Sequence, residues 1–159
     1  MVTIREARFA DIPEIIRLCG LALKESRYSP RFGMDKAALK RVALECIAQH
    51  SDKPGAGRVV VADNGEQLEA IFVGFVRPLY ECLSALIASN LIWYAQPGCS
   101  ARSAMGVLDH FTEWADRADY PVLHRYGVSD AITNHNAVGA LLVRNRGFRL
   151  AGGFYEKGI

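Results

Sequence analysis

Apolar residues keep two different periods along the chain, and the changes between them mark the elements. Val2 to Arg8 alternates apolar and polar side chains as a short strand does. Asp11-Ile12-Pro13-Glu14 follows, with a carboxylate at a cap position, an early proline and a glutamate in the first turn, which predicts a helix start. Ile12, Ile15, Ile16, Cys19 and Leu23 then share one face at helical spacing until Ser29-Pro30-Arg31-Phe32-Gly33 interrupts it. Asp35 predicts a second cap, with Leu39, Val42, Cys46 and Ile47 on the inner face of the helix behind it. A polar connection runs from Ser51 to Gly57.

From Arg58 the pattern is that of strands. Arg58 to Asp63, the pair Asn64-Gly65 and the apolar run Leu68 to Val76 predict a hairpin whose turn favours positive φ, with Pro78 ending its ladder. A loop at Tyr80 to Leu83 leads to a further strand over about Ala85 to Ala95. Pro97-Gly98 and a run of small residues follow. Val107, Leu108, Phe111, Trp114 and Ala115 then form the apolar face of a helix. Val122 to Val128 is a strand candidate, and Asn134 or Asn136 begins a last helix that runs through Val143 and is closed by Gly147. The tail FRLAGGFYEKGI predicts a terminal strand pair. The order β α α β β β α β α β β, without an internal repeat or a long linker, predicts one α/β (α+β) domain over residues 1–159.

The strand, tight turn and helix N-terminus around AQPGCSARSAMG, residues 95–106, form the arrangement that binds anions, because first-turn amides point at whatever lies before them. Net charge changes this little. A formal +2 with no basic stripe or tail gives no nucleic-acid signal, and no apolar run reaches membrane-spanning length, so a soluble, cytoplasmic protein is expected. Cys19, Cys46, Cys82 and Cys99 follow no metal or disulfide spacing and are expected as reduced thiols. Cys99, beside a helix N-terminus, has the alternative of a reactive thiol. His110 and His135 lack the second histidine or glutamate of a zinc motif, so no metal site is expected.

The element order, together with NAVGALLVRNRGF at residues 136–148 and the Gly-rich, Tyr-containing tail, resembles the GNAT acyltransferase superfamily across essentially the whole chain. Pro97, Leu108 eleven residues later, Ala115 seven further on, and Arg146-Gly147-Phe148 carry the likeness most sharply. The tail and the TEWADRAD helix look especially similar to small acetyltransferases of phages and prophages. The resemblance implies a mixed, twisted sheet of six or seven strands flanked by about four helices. It implies acetyl-CoA as cosubstrate, a primary amine of a small molecule or protein as acceptor, and an acetyl transfer between them. Aligned on Pro97, the family's pyrophosphate pattern R/Q-x-x-G-x-G/A falls on Ser100, Ala101, Arg102, Ser103, Ala104 and Met105. Ser100 replaces the first Arg or Gln, Ser103 the first glycine and Met105 the second small residue. Arg102 is either a guanidinium for the diphosphate or a solvated turn residue.

Main-chain groups of Trp93 and Ala95, freed by a bulge, match the pantetheine hold. Asn136 matches a family asparagine near the same arm and is equally suited to be an N-cap. Asn90 and Val143 stand where the family often has its base and its tyrosine acid, and neither transfers protons. Tyr155, Tyr94 and His124 are the remaining catalytic candidates, with core packing as the alternative for Tyr94 and His124. Ser26 to Lys36 and Tyr80 to Leu83 match the acceptor walls, and Arg27, Tyr28, Arg31 and Phe32 suit an acidic or aromatic acceptor. Phe154 and Tyr155 offer a hairpin for homodimer pairing. The competing expectation is a GNAT-fold binding or structural protein, phage-associated, that has lost catalysis.

Overall fold

A computed structural model describes residues 1–51, 57–80, 82–128 and 135–153. Its elements are β1 (Thr3–Glu6), α1 (Ile12–Glu25), α2 (Lys36–Ala48), β2 (Gly57–Asp63), β3 (Leu68–Leu79), β4 (Cys82–Ala95), α3 (Ala101–Ala115), β5 (Val122–His124) and α4 (His135–Arg146). The five strands lie in one sheet in chain order. The first four are antiparallel to their neighbours, and β5 runs parallel to β4.

The helices cover both faces. Alternate residues of β2 and β3 divide between them: Val59, Val61, Ile71 and Val73 pack under α1 and α2, while Val60, Ala62, Ala70 and Phe72 pack under α3 and α4. Ile15 and Leu18 of α1 are fully buried on the first face, and Val107, Leu108 and Phe111 of α3 on the second. Caps follow the sequence in part. Asp35 accepts from Ala38 N at 2.9 Å and starts α2 as expected. Asp11 precedes α1, but Arg5 (2.7 and 3.0 Å) and the Arg8 amide (2.6 Å) occupy its carboxylate, so it ties β1 to the turn before the helix. Gly65 and Gly147 adopt φ of +93° and +70°, as their hairpin turn and helix end require.

The expected six or seven strands become five among the described residues, and the order β α α β β β α β α β β ends at α4. Arg149 to Gly153 carry no strand. The rest of the expected terminal pair, with Phe154 and Tyr155, lies outside the described residues, as does Asn134. Two other differences have local causes. Pro78 does not end the ladder: β3 continues to Leu79 with Pro78 opposite Leu86, because the β2 pairing has stopped at Phe75 and proline is tolerated where one edge is open. The Val122 to Val128 strand shortens to three residues, because the Asn90 side chain takes both backbone groups of Gly127.

A bulge in β4 sets the direction of the strand beyond it. Gly74 pairs with Asn90 and Val73 with Ile92, leaving Leu91 as an extra, unpaired residue. The bulge reverses which way alternate residues point. Before it, Leu86 and Ala88 hydrogen-bond toward β5, at 2.9 Å each, and their side chains join the α3 core. After it, Gln96 N donates back to Glu69 O of β3 (2.9 Å), so Ile92 and Tyr94 bond toward β3, and the groups of Trp93 and Ala95 face the β5 side. Gly74 is obligatory here: a Cβ would lie 2.5 Å from the Phe111 ring and 2.7 Å from Phe72. Gly74→Ala should therefore cost about 1–3 kcal/mol by overpacking, read as a lower urea midpoint at unchanged slope.

Candidate functional site: the divergence of two parallel strands

β4 and β5 pair over only three residues, Leu86 to Ala88 against Val122 to His124, with Arg125 N donating to Ala88 O (2.9 Å) as the last backbone rung. The Asn90 carboxamide then bridges the gap. Its Nδ2 donates to Gly127 O at 3.1 Å and its Oδ1 accepts from Gly127 N at 2.7 Å. Past this clamp β4 runs on to Ala95 without backbone pairing to β5 among the described residues, and the main chain of Trp93 and Ala95 faces that side. The α3 face beside it is filled by Phe72, Phe111 and Tyr126, whose rings lie 4.7 to 6.2 Å apart.

The strand leads directly into the anion-binding arrangement. Gly98 turns the chain at φ +85°, with Cys99 N donating to Gln96 O (3.0 Å). Ser100 is the cap of α3: its hydroxyl accepts from Ser103 N at 3.0 Å and lies 2.9 Å from Ser103 Oγ. That leaves the first-turn amides of Ala101 and Arg102 aimed out of the helix end. Trp93 Nε1 donates to Ala104 O (3.0 Å), so the strand wall and the helix turn are held as one unit. Ser103 is 2% exposed and Met105 7%, the latter packed in the core with Leu108. Arg102 is exposed and lines a groove of about 370 Å³ with Ala101, Met105, Gly106, Asn145 and Arg146. Arg146 is paired with Asp109 at 2.6 Å.

The structure separates the remaining candidates. His124 spends both ring nitrogens on the α3 side, at 2.7 Å from Asp116 Oδ1 and 2.8 Å from the Tyr126 hydroxyl, which itself lies 3.1 Å from Thr112 Oγ1. Burial, countered in part by Thr112, keeps the Tyr126 phenol protonated well above its ordinary range. Asn136 is the second residue of α4 and exposed, inside the helix rather than capping it. Val143 is 52% exposed. Tyr155 lies outside the described residues. Tyr94 turns to the opposite face from Trp93 and Ala95; it is 5% exposed, and its hydroxyl donates to Glu25 Oε1 at 2.9 Å. Burial and the glutamate both push its pKa up, so it stays a phenol. Glu25, the last residue of α1, was not singled out in the sequence; a lone helix-end glutamate carries no signal until its partner is known.

No family model matches the chain, and no curated protein matches it. Solved structures do. A transcriptional regulator from Bacillus halodurans C-125 superposes with a TM-score of 0.70 at 14% identity, covering 100% of both chains. The ribosomal-protein-alanine N-acetyltransferase from Brucella melitensis biovar Abortus 2308 gives 0.67 at 11% identity, covering 100% of this chain and 98% of that one. The aminoglycoside acetyltransferase AAC(6')-Iy, solved with a CoA-containing bisubstrate analogue, gives 0.66 at 12% identity over 100% and 99%. At such identities the likeness is one of fold alone, a fold that this chain shares with solved acetyltransferases and with that regulator.

Cys99 is decided by its surroundings. Burial and the Glu69 carboxylate push its thiol up to about 11, outweighing the hydrogen bonds from Ser103 and Ala104 that favour thiolate. The thiolate fraction at pH 8 is then about one in a thousand, against roughly a quarter for an ordinary cysteine. Iodoacetamide followed by peptide mass mapping should find Cys99 nearly unmodified at pH 8 and increasingly modified toward pH 11.

Proposed function

We propose that this protein is a CoA-dependent N-acyltransferase that moves an acetyl group from acetyl-CoA to a primary amine. The observation that carries the reading is that β4 runs past its three-residue pairing with β5 into the N-terminus of α3. The main chain of Trp93 and Ala95, turned to the β5 side, leads to the outward amides of Ala101 and Arg102. An extended arm rich in amides fits the first, and a diphosphate fits the second, with the Arg102 guanidinium beside it. A solved structure of the same fold was obtained with a CoA conjugate. The free thiols Cys19, Cys46 and Cys99 suit a reducing, cytoplasmic setting.

The chemistry asks little of side chains. A neutral amine attacks the thioester carbonyl, the C–N bond forms, the C–S bond breaks, and the thiolate leaves with the electron pair. Preorganised main-chain donors along the bulged strand are suited to the developing oxyanion. The proton of the attacking amine passes to water, because of the expected candidates Tyr94 has its hydroxyl on Glu25 and His124 has its ring nitrogens on Asp116 and Tyr126; Tyr155 lies outside the described residues. The occupied amide of Asn90 and the exposure of Val143 favour a second reading, a binding protein on the same fold.

Two measurements test these readings. Calorimetric titration should show acetyl-CoA binding, weakened about ten- to a hundredfold in Arg102→Ala by loss of a charge-assisted contact of about 1.5–3 kcal/mol; no binding at millimolar ligand overturns the proposal. Thiol release with primary amines should rise between pH 7 and 9 as the acceptor deprotonates. Binding without turnover at pH 9 leaves the binding-protein reading in its place.

A further inference from the structure

Among the described residues, Phe72, Phe111, Tyr126 and the Trp93 ring fill the α3 face beside β4, and the bulge has turned Tyr94 to the opposite, α1 face. An amine that attacks a thioester held along β4 is therefore placed on the α1 face. The Tyr94 hydroxyl, at the edge of that core, holds Glu25 Oε1 at 2.9 Å and leaves Oε2 of an exposed carboxylate beside the path. Resting on the acyltransferase reading, we propose that Glu25 binds the ammonium group of the acceptor, and that the acceptor is a singly charged primary amine on an apolar or aromatic body.

The chain just beyond Glu25 argues for the second half. The Tyr28 and Phe32 rings pack tilted at 55° with centroids 6.2 Å apart, and Phe32 is 51% exposed, which offers apolar surface to an acceptor. Charge argues against a polycation. Lys24 and Arg31 are exposed in the same stretch of chain, and the Arg27 guanidinium lies 5.2 Å from the Tyr28 ring. A second or third ammonium would meet these cations, whereas one ammonium meets Glu25. Tyr94 is on this account a positioning residue, since it reaches the acceptor only through Glu25.

The test uses the full chain with acetyl-CoA, following thiol release with 2-phenylethylamine and with kanamycin, alongside calorimetry of acetyl-CoA. Phenylethylamine should be turned over with the higher kcat/KM. Glu25→Gln should raise its KM about tenfold or more, the loss of one charge-assisted contact, with acetyl-CoA affinity unchanged. Glu25→Asp should recover part of the loss, and Tyr94→Phe should raise KM by a smaller factor. An unchanged KM in Glu25→Gln, or a preference for kanamycin, overturns the inference. Binding of acetyl-CoA with turnover of neither amine overturns it while leaving the cosubstrate reading standing, and failure to bind acetyl-CoA overturns both. Glu25 is exposed, so its variants should keep the wild-type thermal midpoint, which circular dichroism checks.

Discussion

The extra residue at Leu91 is the constraint on which the site depends. A strand that kept its parity would carry Trp93 and Ala95 into the ladder with β3 and would aim Tyr94 at α3. One unpaired residue reverses both, so the backbone donors and acceptors of Trp93 and Ala95 fall on the β5 side, and Tyr94 falls under α1. The bulge persists because Gly74, opposite it, lets the Phe111 ring close over the sheet. Packing of α3 and the direction of β4's hydrogen bonds are thus one decision.

Asn90 limits how far that decision spreads. Backbone pairing between β4 and β5 stops at Ala88, and an unsupported pair of parallel strands would separate from there with unpaired groups on both edges. The Asn90 carboxamide supplies one donor and one acceptor to Gly127 and so mimics one further rung. Beyond it, Trp93 anchors the first turn of α3. Asn90, which the sequence resemblance put at the position of a base, instead extends the contact between β4 and the chain after β5.

The charged groups divide by depth. His124, Asp116, Tyr126 and Thr112 form a hydrogen-bonded chain between α3 and β5 that satisfies a phenol otherwise buried among aromatic rings. Tyr94 solves the same problem on the other face with a surface carboxylate, Glu25. Both arrangements tie a phenol to a surface carboxylate, Asp116 through His124 in the first and Glu25 directly in the second. At the far end of the sheet, Arg58 is 3% exposed, paired with Glu6 and stacked 4.7 Å from Trp114, and it joins β1, β2 and α3 there.

Local rules made the elements legible. Period, caps and turn glycines placed α1, α2, α4 and β2 to β4 within a few residues, because Asp35, Gly65 and Gly147 act on neighbours in the chain; α3 begins at Ala101, six residues before the apolar face that starts at Val107, because the Ser100 cap and its small residues carry no apolar period. The same locality made AQPGCSARSAMG readable as a strand, turn and helix mouth. Tertiary structure decided the rest. That Asp11 serves Arg5, that Pro78 sits inside a strand, and that β5 stops at His124 follow from partners more than five residues away. Tyr94 and Glu25 are 69 residues apart in the chain, and only the bulge at Leu91, which depends on Gly74 and Phe111, turns one toward the other. Hydrophobic period specifies which face a residue prefers; which face it receives after a bulge is fixed by the packing across the sheet.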